Sequence, residues 1–70
     1  MLWWFEREGA VARCQVLDLP HGGYELRIAQ PDGTETIEHF TNAADLAKRQ
    51  QAVNEEFKAN GWAGPHGWRI

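Results

Sequence analysis

The stretch "TNAADLAKRQQAVNEEFKANG", from Thr41 to Gly61, constrains this chain more than any other. It reads as one amphipathic helix over residues 42–60. Asn42 suits an N-cap, because its side-chain oxygen can accept from a free amide of the first turn. Asp45, three residues on, resembles a capping box with Asp in place of Glu. Asp45 and Arg49 are spaced for an i,i+4 ion pair. Leu46, Gln50, Val53 and Phe57 fall on one stripe, widened by Ala43 and Ala47. Lys58 faces the negative end of the helix dipole, and Gly61 stands where a left-handed residue ends a helix. The stripe is the face to lay across the residues before Thr41.

Those residues read as strands. Leu2 to Glu8 is apolar and aromatic, and Gly9 offers a turn. Ala10 to Leu19 places Ala12, Cys14 and Val16 on one face and Val11, Arg13, Gln15 and Leu17 on the other. The small side chains of the first face suit close approach by a helix. "LPHGG", Leu19 to Gly23, is a loop. In "YELRIA", Tyr24 to Ala29, Tyr24, Leu26 and Ile28 alternate with Glu25 and Arg27, as in a half-buried strand. "QPDGT" is a hairpin turn, with Pro31 and Asp32 at its centre and Gly33 at positive φ. "TETIEHF", Thr34 to Phe40, is a fourth strand. Its alternation is imperfect, since Ile37 and Phe40 fall on opposite faces, and a bulge or a strand end near His39 would resolve that.

The sum is an α+β two-layer sandwich. A four-stranded antiparallel meander (about 2–8, 10–19, 24–29 and 34–40) carries one long helix (about 42–60) on one face. A glycine-rich aromatic tail, 61–70, follows. Sequential strands with short connections should pair as neighbours.

Seventy residues make a single domain, 1–70. A chain this short buries only about 60% of its unfolded surface, so its core needs reinforcement. Cys14 is the only cysteine, which excludes an internal disulfide and fits a reducing, cytoplasmic setting. Aromatic packing can supply the reinforcement, through four Trp, three Phe and one Tyr. The opening "MLWWFERE" lacks a basic region, a long apolar run and a cleavage site, so the expectation is no signal peptide and a mature chain beginning at Met1. No run approaches the roughly 18 apolar residues of a membrane span.

The tryptophans stand at the two ends: Trp3 and Trp4, then Trp62 and Trp68. In the first strand Leu2 and Trp4 point one way, Trp3 and Phe5 the other. Both faces are apolar there, yet a sheet covered by one helix needs only one apolar face. Three covers are open for the face of Trp3 and Phe5. The tail could fold back as a staple, with Trp62 and Trp68 on the first strand. A homodimer seam could form on that strand. Or the patch could be a contact surface for another molecule, since exposed aromatic patches mark interaction sites.

Catalytic chemistry finds little to work with. There is no serine. Cys14 and His39 would form a nucleophile–base pair only if they met, and their strands are not neighbours in a meander. His21, His39 and His66 lack metal-ligand spacing, and no second cysteine joins them. No glycine-rich phosphate loop opens a helix. The net charge of −3 argues against strong phosphate binding. Arg13 and Arg27 on an open sheet face could still contact nucleic acid, with aromatic stacking. Glu25 and Glu38 would share that face and repel phosphate.

The chain as a whole, above all "MLWWFEREG" and "GWAGPHGW", resembles short uncharacterised single-domain proteins of bacterial genomes. The resemblance implies a bacterial, cytoplasmic origin and no assigned activity. The expectation is therefore a non-enzymatic interaction domain, without cofactor or metal, whose partner is another protein or itself as a homodimer. Its contact residues would be Trp3, Phe5, Trp62 and Trp68, with His66 and Arg69 as a polar rim. The alternative is a small nucleic-acid-binding module using the open face of the sheet.

Overall fold

The computed structural model describes residues 1–67. Its elements are β1 (Leu2–Arg7), β2 (Ala10–Asp18), β3 (Tyr24–Ala29), β4 (Glu35–Phe40), α1 (Ala43–Ala59) and β5 (Ala63–His66). They form an α+β fold with one antiparallel sheet in the order β4-β3-β2-β1-β5. The four strands expected from the sequence are present, and the tail adds a fifth. "AGPH" carries no β-forming run, so nothing local announces it. It becomes a strand by pairing with β1, Trp4 opposite His66 and Glu6 opposite Ala63, across a register shift.

Register decides which face each side chain takes. The two-residue turn Glu8–Gly9 closes on the pair Arg7↔Ala10, so Trp3 lies opposite Cys14 and Phe5 opposite Ala12. Large rings thus meet small partners, and the space between them and the helix is filled without steric conflict. Trp3, Phe5, Cys14, Leu26, Ile28, Leu46 and Val53 form one buried cluster, with Val16, Tyr24, Phe40, Phe57 and Trp62 packed around it. The covered face of β1 is therefore that of Trp3 and Phe5, and the open one is that of Leu2 and Trp4.

The helix begins and ends as its sequence implies. The Asn42 side chain accepts from the Asp45 amide at 2.8 Å. At the other end, the Gly61 amide donates to Lys58 and the Trp62 amide to Phe57, both at 3.0 Å. This double bond pattern needs a left-handed residue after the cap, which Gly61 supplies at φ 84°. Leu46 and Val53 are buried, whereas Ala43 and Ala47, expected to widen the stripe, are exposed.

Polar links between described residues fasten α1 to the sheet. The Trp3 indole Nε1 donates to Asn54 Oδ1 at 3.0 Å. Arg49 donates twice to Glu38, at 2.8 and 3.0 Å. The expected Asp45–Arg49 pair gives way to this bond, because the planar guanidinium matches a carboxylate with two parallel donors. Asp45 is held instead by the Asn42 amide group.

β4 also differs from expectation. Its pairing with β3 runs unbroken from Tyr24↔Phe40 to Ala29↔Glu35. No bulge occurs, and Ile37 simply projects from the open face, 50% exposed.

Candidate functional site

The expected contact residues do not converge. Trp3 and Phe5 are fully buried beneath α1, and they cannot form a contact surface in the folded chain. Trp62 is half-buried on the helix side, edge-on to Phe57 at 5.4 Å and covered by the Arg7 guanidinium at 4.6 Å. His66 lies on β5 beside Trp4, their rings 5.9 Å apart. Trp68 and Arg69 lie outside the described residues. Residues 63–66 of the tail pair with β1 along its edge, so β1 is an interior strand with no free edge, while the face of Trp3 and Phe5 meets α1 through Asn54 and Phe57.

The open face of the sheet carries the exposed apolar side chains of β1, β2 and β4. Its rows follow from the strand register. One row runs Leu2, Gln15, Arg27, Ile37; the next runs His66, Trp4, Arg13, Ala29, Glu35. Leu17, Glu25 and His39 make a third, and Glu6 with Val11 a fourth. Leu2, Val11 and Ile37 all stand on this face, and with Met1 they are the large apolar side chains left exposed among the described residues. Trp4, in the row between those of Val11 and Leu2, and Leu17, in the row beyond Leu2, are half-buried on the same face.

The Trp4 ring lies against the tail backbone. A Cβ added at Gly67 would come within 2.5 Å of Trp4 Cζ3, so only glycine lets the indole settle there.

Charges on this face are mostly tied up. Arg27 donates to Glu25 and lies 3.9 Å from Glu35. His39 Nε2 is 2.9 Å from Glu25 Oε1. These bonds hold the Glu25 carboxyl below the usual carboxylate range, His39 contributing most and Arg27 next. Arg13 is exposed and has no acidic partner among the described residues. Glu38, expected on this face, is on the helix side with Arg49.

A second feature is an open groove of about 390 Å³ between α1 and the sheet. Arg7, Arg49, Glu56, Phe57, Asn60 and Trp62 line it. Its arginines already have partners. Arg49 is held by Glu38, and Arg7 donates to the Asn60 carbonyl at 2.7 Å.

Cys14 and His39 cannot act together. Cys14 is on the helix side of β2 and His39 on the open side of β4, with β3 between them. Burial pushes the Cys14 thiol up to about 12, so it stays protonated at neutral pH. No group of three His, Cys, Asp or Glu side chains among the described residues is placed to hold a metal ion. No helix among them is long and apolar enough to cross a membrane.

The chain matches no protein-family model, and neither a curated protein nor a solved structure is similar to it.

Proposed function

We propose that this protein is a non-enzymatic interaction module that presents the open face of its sheet to another protein. One observation carries the reading: Leu2, Val11 and Ile37 all project from the face that α1 leaves bare. Exposed apolar side chains gathered on one face of a small domain, here on three of its strands, mark a contact site. The fitting partner has an apolar patch bordered by both signs of charge, with an acidic group to meet Arg13. The contact set is thus Leu2, Trp4, Val11, Arg13 and Ile37. It replaces Trp3 and Phe5 with their neighbours on the opposite side of β1.

The rival reading, nucleic-acid binding through Arg13 and Arg27, draws less support. Glu6, Glu25 and Glu35 share the face, and Arg27 is already paired. Phosphate would meet more negative than positive charge there. Titration with duplex and single-stranded DNA at low salt is expected to be flat.

The test is differential crosslinking in cells with the Leu2→Glu/Val11→Glu double variant, whose fold is first verified by circular dichroism. Crosslinked partners held by the wild type and lost by the folded variant support the reading. Identical partner sets for both proteins would overturn it.

A further inference from the structure

The two edges of the sheet are built differently. β5 is a four-residue edge that contains Pro65 and pairs with β1 across a register shift. Proline and irregularity are the usual devices that stop an edge from pairing with another chain. β4, at the other edge, has neither. It is six residues long, regular throughout, and its Glu35, Thr36, Ile37 and His39 are exposed.

Its hydrogen-bonding groups can be assigned. The Gln30 amide donates to the Thr34 carbonyl at 2.8 Å, which starts the ladder of the β3–β4 hairpin. Bonded pairs alternate along an antiparallel ladder. Thr36, Glu38 and Phe40 therefore face β3 with their amides and carbonyls, while Glu35, Ile37 and His39 turn theirs outward.

From this edge we infer that two copies of the chain pair through β4, antiparallel, with Ile37 opposite Ile37 of the second copy. Side-chain complementarity selects that register. It sets Glu35 opposite the second copy's His39, twice by symmetry, so an acid meets a base on both sides of the isoleucine pair. On the helix side it sets Thr36 opposite Glu38. Sliding by one pleat in one direction would set Glu38 opposite Glu38, a like-charge pair. Sliding the other way would set Glu35 opposite the apolar Ile37. In the favoured register every outward amide and carbonyl of Glu35, Ile37 and His39 finds a partner.

The pairing yields a continuous ten-stranded sheet, five strands from each copy. Both helices lie on one side and both open faces on the other. The inference concerns the sheet edge and stands independently of what the open face binds. Its consequence for that face is that the two Ile37 side chains meet at the centre of a doubled surface. Edge pairing alone makes an interface at the small end of the specific range, below about 1,200 Å², so the dimer dissociates on dilution.

The experiment is sedimentation equilibrium from roughly 10 μM to roughly 1 mM, a range that brackets weak association. Three samples are compared: the wild type, Glu35→Lys and His39→Glu. The wild type should rise from 8.0 kDa to twice that mass. Each variant alone should remain at 8.0 kDa, because the Glu35–His39 pair is lost on both sides in one and Glu would face Glu35 in the other. An equimolar mixture of the two variants should recover the dimer, since Lys then faces Glu. A wild type that stays at 8.0 kDa throughout would overturn the proposal, as would single variants that dimerise as well as the wild type. Should either variant fail to fold, amide exchange on the wild type decides. Protection of Glu35, Ile37 and His39 that grows with concentration supports the seam, and fast exchange at every concentration refutes it. Failure here leaves the open-face reading standing, because Leu2 and Val11 lie on β1 and β2, away from this edge.

Discussion

The Trp62 amide donates to the Phe57 carbonyl at 3.0 Å while the two rings meet edge to face at 5.4 Å. One residue thus closes the helix with its backbone and caps the core with its side chain. Phe57 in turn stacks on Phe5 at 4.5 Å, so the helix stop, the tail and the first strand share one aromatic cluster. Replacing Trp62 by Ala should cost about 2 kcal/mol, less than a fully buried tryptophan because the ring is half-exposed. Gly61→Ala should cost about 1 kcal/mol, since it forces a side chain into a left-handed conformation. Urea denaturation of both variants checks this. A Trp62→Ala midpoint equal to that of the wild type would mean the tail is not a staple.

Trp3 is the largest fully buried side chain among the described residues. Its truncation to Ala should cost about 3–5 kcal/mol. A domain of this size has little more stability than that in total. The variant should therefore be largely unfolded by circular dichroism, whereas Trp3→Phe, which keeps a ring over Cys14, should stay folded with a lower midpoint. Asn54→Ala should cost about 1 kcal/mol by removing the acceptor of the indole N–H. A Trp3→Ala protein as stable as the wild type would contradict the burial described here.

What was legible in the sequence was local. Asn42 and Gly61 bracket the helix because capping depends on residues within one turn. The turn at Gln30 to Thr34 could be read because Pro31 and Asp32 act within four residues, and the Gly33 amide does close on Gln30 at 3.0 Å. Faces and edges were harder. Both sides of β1 are apolar, so alternation could not say which was covered. The signal that could have decided was the Glu8–Gly9 turn: taken as a two-residue loop, it sets Trp3 against Cys14 and Phe5 against Ala12. β5 was illegible because its strand character comes only from pairing with β1, more than fifty residues away in sequence. Ile37 looked like a break in the pattern of β4, yet it is a regular strand residue exposed on the bare face. The mismatch between its hydrophobicity and its position, together with the apolar second face of β1, was the sequence's pointer to the candidate surface.

The Glu25 carboxyl is held below its usual range by His39 and Arg27, and Asp32 by the Thr34 amide. A carboxyl with a depressed folded pKa binds fewer protons in the native state than in the unfolded chain. Its stabilising contribution is present above the unfolded carboxylate range and disappears as pH falls through the depressed value. Stability should therefore decline on acidification below the ordinary carboxylate range. Glu25→Gln removes one of the two groups and should flatten that decline, as read from urea midpoints at a series of pH values. An unchanged slope in Glu25→Gln would mean the His39–Glu25–Arg27 cluster contributes nothing to stability.

The turn that sets the register of β1 and β2 is itself strained. Glu8 adopts φ 50° and Gly9 φ 81°, the two left-handed positions of a two-residue hairpin loop. Glycine accepts this freely; glutamate does not, and asparagine is the side chain that tolerates it best. Glu8→Asn should raise stability by about 0.5–1 kcal/mol, a gain of several degrees in Tm for a domain this small. Gly9→Ala is the counterpart. Its added Cβ would meet no atom within 4 Å, so any loss would be conformational rather than steric. Thermal unfolding of the two variants should move the midpoint in opposite directions. If Glu8→Asn instead lowers it, the turn is not the left-handed loop described, and the placement of Trp3 and Phe5 beneath the helix would need another cause.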